Sequence, residues 1–148
     1  MRTLNERVRE LAAVEGLLRR RGGMLVVEGR AGIGKTSLVE VACSRAAELG
    51  YEVAHARGSE LEAGFAFGVV HQLFERRLAA ARAAEREALL AGPAAAVRPL
   101  LSGELVAESA GDSSFAVLHG LYWLVANLAA SQPLLIAIDD AHLSLIHI

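Results

Sequence analysis

Lys35 is the only lysine in the chain, and it stands inside Gly29-Arg30-Ala31-Gly32-Ile33-Gly34-Lys35-Thr36. That octet fits G-x-x-x-x-G-K-[ST], in which a glycine-rich loop turns main-chain N–H groups toward phosphate oxygens at a helix N-terminus. Gly29, Gly32 and Gly34 let the backbone curl and approach the anion without a Cβ in the way. In a chain whose other strongly basic residues are all arginine, the one lysine lies where a compact ammonium suits the gap between phosphate oxygens. Its assigned reach is to the β- and γ-phosphates, and the Thr36 hydroxyl is the candidate ligand for Mg²⁺. The candidate cradle comprises Gly29, Arg30, Ala31, Gly32, Ile33, Gly34, Lys35, Thr36 and Ser37. The Arg30 side chain needs no role beyond solvated surface.

A second constellation lies about a hundred residues on. Leu134-Leu135-Ile136-Ala137-Ile138 is followed by Asp139-Asp140. An apolar strand that ends on acids delivers carboxylates to the ligand-binding edge of a parallel sheet, the Walker B pattern. Asp139 is assigned to the Mg²⁺ shell. Asp140, with Lys35, is assigned to catalysis, as general base or positioner of the attacking water. His55, His71 and His119 read as structural, while His142 fits a surface place as well as one near the γ-phosphate. There is no Cys/His metal cluster and no nucleophile elbow. Tyr122 and Trp123 read as core residues.

The elements that must hold these groups follow from periodicity. Leu4 to Arg21 reads as a helix capped by Thr3 or Asn5 and ended by Gly22-Gly23. Met24 to Glu28 reads as a buried strand, Lys35 to Leu49 as a helix ended by Gly50, and Tyr51 to Ala56 as another strand, which together make a βαβ unit. Gly58 to Gly64 is a polar turn region. Helices are expected over Ala66 to Ala81 and Ala83 to Leu90, and Gly92-Pro93 and Pro99 punctuate a loop-like connector. Ser102 to Ser114 is loosely patterned. Asp112 or Ser113 caps a buried helix running to about Ala130, and Gln132-Pro133 breaks it before the acid-ended strand.

The 148 residues are 53% hydrophobic and 22% charged, with net charge −2 and mean hydropathy +0.36. This is globular composition, and the charge offers no electrostatic footprint for nucleic acid. Cys43, the single cysteine, excludes an internal disulfide and reads as a small buried apolar residue. Phe115 to Ala130 is too short for a membrane span, and no signal peptide is visible, so the expected location is the cytoplasm. No G-protein base-specificity motif is present, which favours ATP over GTP.

With both motifs placed, the chain resembles the N-terminal part of the ATPase domain of large LuxR-type transcriptional regulators, in the STAND branch of AAA-like ATPases. It is also similar to the origin-recognition-type AAA module. The resemblance rests on Glu6 to Leu11, Glu28 to Leu38, Ala56 to Glu62, Phe67 to Phe74, Leu118 to Leu124 and Leu134 to His142. It implies an α/β, three-layer P-loop NTPase core of the ASCE/AAA-like class, truncated after the Walker B strand. Residues 1–142 would form a partial ATPase domain: an N-terminal helix at 1–22, the P-loop βαβ unit at 23–57, a helical insert at 58–111, and a helix plus Walker B strand at 112–140.

The resemblance implies ATP and Mg²⁺ as cofactors and an ATP-driven switch. It implies ATP/ADP as ligand, self-association in the full-length protein, DNA contact only through a C-terminal helix-turn-helix not in this chain, and no membrane partner. Two alternatives stand beside it: a nucleotide sensor without hydrolysis, and an incomplete gene product with no function of its own. The tail 143–148 departs from the family pattern and resembles adapter read-through. In the 5-1-4-3-2 strand order of that class, Met24 to Glu28 would then lack native partners. Weak nucleotide binding, marginal stability and little turnover are the expected consequences.

Overall fold

Leu11, Val14 and Leu18 repeat at helical spacing and form the inner stripe of α1 (Val8–Arg20), with Val14 and Leu18 buried. The computed structural model describes residues 7–59, 67–103 and 113–141. The helix ends where Arg21 adopts a left-handed conformation (φ 53°) and its N–H donates to Leu18 O at 3.3 Å. The predicted caps Thr3 and Asn5 lie outside the described residues. α2 (Lys35–Glu48) follows the glycine loop and is stopped near Gly50 (φ 79°). The Tyr51 N–H then donates to Ala46 O at 2.9 Å, and the Tyr51 hydroxyl donates to Leu18 O at 2.5 Å. These two bonds tie the ends of α1 and α2 to the start of β1 (Glu52–Arg57).

β1 pairs in parallel with β2 (Leu134–Asp139), in register from Glu52 opposite Leu134 to Arg57 opposite Asp139. Side chains alternate across the pleat. Ala54, Ala56 and Leu134 enter one apolar cluster with Leu73, Phe74, Leu78, Val97, Leu124 and Leu128. Val53 and Leu135 enter a second cluster with Val14, Leu18, Leu38 and Ala46. Helices therefore cover both faces of the sheet. One face carries α1 and α2. The other carries α3 (Gly68–Ala80), α4 (Ala83–Leu89) and α6 (Ser113–Ala129). Arg77 fastens α3, pairing with Glu52 of β1 at 2.7 Å and with Glu85 of α4.

Three expectations are corrected. Residues 24–28 form no strand and pair with no strand among the described residues. A strand exists only through a ladder. Without one, Met24 is 87% and Val26 64% exposed, while Val27 alone packs onto the second cluster. The P-loop unit is thus loop, helix and strand. The connector is not a loop: Gly92–Val97 is a 3₁₀ helix that leads into α5 (Arg98–Leu101). Pro93 and Pro99 sit in the first turns of these pieces, where a missing N–H is harmless.

The third correction concerns α6, which reads from the sequence as a buried helix. Its inner stripe is Val117, Gly120, Leu124 and Leu128, but Phe115 is 78% and Tyr122 66% exposed, and Trp123 is also exposed. Trp123 is not a core residue; its Nε1–H donates to His119 Nε2 at 3.1 Å. The helix lies so close to the 3₁₀ segment that a Cβ on Gly120 would meet Val97 Cγ1 at 2.9 Å. Asn127 Nδ2 donates to Leu89 O at 2.9 Å and joins α6 to α4. α6 begins at Ser113; the alternative cap Asp112, residues 104–111 of the loosely patterned segment and the tail 143–148 fall outside what the structure describes.

Leu124 is fully enclosed in the larger cluster. Leu124→Ala is expected to remove about 3 kcal/mol of stability, through lost burial and the cavity left behind. A lower denaturation midpoint in a chemical melt, with unchanged slope, checks this.

Candidate functional site

The loop between Glu28 and α2 is built by two glycines in the left-handed region, Gly32 (φ 77°) and Gly34 (φ 86°), and by a turn in which the Ile33 N–H donates to Arg30 O at 3.3 Å. Gly34 is the N-cap of α2, and its carbonyl accepts the first helical bond, from the Leu38 N–H at 3.2 Å. The N–H groups of Gly32, Gly34, Lys35, Thr36 and Ser37 donate to no acceptor among the described residues. Five main-chain donors in one curl, at the positive end of a helix dipole, are what an anion requires. A Cβ on Gly29 would sit 2.9 Å from Ile33 Cγ2, so that position also depends on glycine.

Lys35 Nζ donates to Gly29 O at 2.8 Å and to Arg30 O at 3.2 Å. The ammonium thus bridges back to the start of the loop. It has a third donor beyond these two. Arg30, Ala31 and Ile33 are exposed around the curl, Thr36 is half-buried just behind Lys35, and Ser37 is exposed.

Arg7 was not singled out in the sequence. Its side chain is buried, its Nη1 donates to Gly34 O at 2.7 Å, and its Nη2 would lie 3.1 Å from a Cβ on Gly34. The N-terminal helix therefore braces the last turn of the loop with a second cation. A lone arginine ahead of a helix offers no local signal of this, because the contact spans 27 positions.

The second half lies at the C-terminal ends of the strands. Asp139 closes β2 on the face shared with Leu135 and α2, and its side chain is 3% exposed. Asp139 Oδ1 accepts the Asp140 N–H at 3.0 Å, whereas the buried Oδ2 has no hydrogen-bond partner. A buried carboxylate oxygen with no donor is costly, and a cation is the partner that suits it. Asp140 has φ 51°, which turns its carboxylate out of the line of the strand.

Arg57, the last residue of β1, meets that carboxylate. Its Nε and Nη2 each donate to Asp140 Oδ2 at 3.1 Å, and its Nε is 3.9 Å from Asp139 Oδ2. Sequence reading passed over Arg57 as well. No local signal marks it, since β1 also carries Glu52 and His55.

α2 runs from the loop back to the foot of β1, so its N-terminus and the strand ends share one side of the sheet. No hydrogen bond or ion pair links the loop residues to Asp139 or Asp140 among the described residues. His71 Nε2 lies 3.0 Å from Leu101 O, and His55 lines a cleft beside α3, so neither belongs to the site. His142 lies outside the described residues. Cys43 is half-buried, and burial, with Glu40 adding to it, pushes its thiol up from the ordinary value.

A model of the AAA ATPase domain matches residues 3–145. The chain belongs to the AAA ATPase domain family. No curated protein and no solved structure matches it. Membership accounts for the α/β arrangement of helices around parallel strands and makes the chain a nucleotide-binding module of the P-loop kind. No helix among the described residues is long and apolar enough to cross a membrane.

The residues present fit a magnesium-complexed nucleotide. The free N–H groups suit phosphate oxygens, and the orphaned Asp139 Oδ2 suits a cation. No group of three or more acids, histidines or cysteines could hold a metal alone among the described residues. A hard divalent ion here would share its shell with water and phosphate oxygens.

Gly34→Ala would place a Cβ both at a left-handed φ and against Arg7. The expected cost is about 2 kcal/mol of stability. A denaturant melt of the nucleotide-free variant measures it.

Proposed function

We propose that this chain is the ATP-binding, and in the intact protein ATP-hydrolysing, switch module of a LuxR-type transcriptional regulator. The observation that carries the nucleotide part is the curl of unpaired main-chain N–H groups of Gly32, Gly34, Lys35, Thr36 and Ser37, closed by the Lys35 ammonium. Family membership supports adenine nucleotide as the ligand. The regulator context is supported by the stretches Phe67 to Phe74 and Leu118 to Leu124, which resemble that group of proteins.

In this reading the loop amides of Gly29 to Ser37 take the phosphate oxygens. Lys35 neutralises the β- and γ-phosphates, where a charge-assisted contact contributes about 1.5–3 kcal/mol. Thr36 and Asp139 hold the metal, and Mg²⁺ supplies charge neutralisation on the transferring phosphoryl group. Asp140 orients the attacking water and receives its proton. The structure has the Asp140 carboxylate held by Arg57, so taking up that task requires the guanidinium to leave. Self-association, and DNA contact through a helix-turn-helix beyond this chain, belong to the same proposal.

Lys35→Ala is expected to weaken binding of Mg·ATP by about ten- to a hundredfold, at 1.4 kcal/mol per tenfold. A fluorescence titration reads this, and equal affinity in the two proteins rejects the lysine's role. Asp140→Asn separates hydrolysis from sensing. In the full-length protein it should lower phosphate release by about a hundredfold or more while nucleotide affinity stays within a few-fold. Equal phosphate release in wild type and variant would assign the protein to the sensing class.

A further inference from the structure

Asp139 and Asp140 are consecutive carboxylates, and the first is almost completely enclosed. Two like charges in such a place need a compensating cation. In the structure that cation is Arg57. Its guanidinium makes two hydrogen bonds to Asp140 Oδ2 and lies within ion-pair distance of Asp139 Oδ2, the oxygen that has no other partner. No other cation pairs with either acid among the described residues.

The main chain of Arg57 is held separately. The Arg57 N–H donates to Gln72 Oε1 at 3.0 Å, and Gln72 Nε2 donates to Arg57 O at 3.2 Å. The Gln72 amide thereby pairs with the edge of β1 as a neighbouring strand would. It comes from α3, within the stretch Phe67 to Phe74 that the nucleotide reading leaves without a task. The result is a residue with a fixed backbone and a movable head, because the Arg57 side chain is 61% exposed.

We propose that Arg57 is a resident counter-cation: it takes the place of the divalent ion at the acid pair and keeps metal from binding there in the absence of nucleotide. The proposal rests on the nucleotide reading of the site. Two carboxylates, one already engaged, offer a divalent ion too few ligands to displace a guanidinium from them. Phosphate oxygens add ligands and negative charge, and a solvent-exposed ion pair is weak enough to yield to them. Metal and nucleotide then enter as one unit, and Asp140 is released when both are present. Gln72 keeps the guanidinium within reach for its return, so α3 sets how readily the acids are uncovered.

The test is Mn²⁺ binding to the whole chain without nucleotide, read by the loss of free-ion electron paramagnetic resonance signal. Arg57→Gln keeps an amide donor near Asp140 and removes only the charge. It should bind Mn²⁺ at least about tenfold more tightly than wild type. Arg57→Lys should remain close to wild type, and Gln72→Ala, which loosens only the main-chain clamp, should fall between them. Circular dichroism establishes that each variant is folded, and Gln72→Ala decides the matter if Arg57→Gln is not. Equal Mn²⁺ affinity in wild type and the folded neutral variants overturns the counter-cation while leaving nucleotide binding intact. Mg·ADP affinity is measured alongside, and wild type that fails to bind it overturns the nucleotide reading itself.

Discussion

The parallel pairing of β1 with β2 is the constraint on which the rest of the site depends. It joins segments far apart in the chain and places Arg57 beside Asp139 at the same level of the sheet. Because side chains alternate along a strand, this register also sends Val53 and Leu135 toward α2 and Ala54 and Leu134 toward α6. A shift of one residue would exchange the two faces. It would aim Asp139 away from the helix that begins at the phosphate loop. The two apolar clusters therefore hold the chemistry in register, although none of their side chains takes part in it.

Electrostatics in the nucleotide-free protein follows one pattern: the cations of the site and the Asp140 carboxylate are partnered by the protein itself. Lys35 donates to the carbonyls of Gly29 and Arg30, Arg7 donates to Gly34 O, and Arg57 covers the acids. Charged groups without partners are expensive away from water, so an empty site has to satisfy them internally. The residues that carry the loop's main-chain donors are exposed or half-buried, so these groups can turn to water instead. Binding is then an exchange of partners, which keeps the empty and loaded forms close in free energy.

Much of the architecture was legible from local patterns. α2, α3, α4, β1 and β2 lie within a residue or two of where periodicity, glycine stops and the Gln132-Pro133 break put them, and α1 ends as expected. The glycine loop and the acid-ended strand were legible because their chemistry is written in consecutive residues. The lack of a strand at 24–28 was not, because an apolar β-branched run states a preference and only a neighbouring strand can fulfil it. The outer face of α6 misled in the opposite way. Apolar residues around the whole helix suggested burial, yet full burial is confined to the stripe through Val117, Gly120, Leu124 and Leu128, flanked by the half-buried Leu121 and Val125. Tyr122 and Trp123 instead pack edge to face with one another on the outside.

By itself, the sequence determined the conformation of most short elements and marked the glycine loop and the acid pair as the candidate site, since backbone preference, capping and motif spacing act over a few residues. Tertiary structure alone decided which distant side chains complete the site. Arg7 reaches Gly34, Gln72 clamps Arg57, and Arg57 covers Asp140, all across contacts between separate elements. Such contacts depend on strand register and on which helix face is buried. Both are set by the packing of the whole molecule, and no local run of residues carries them.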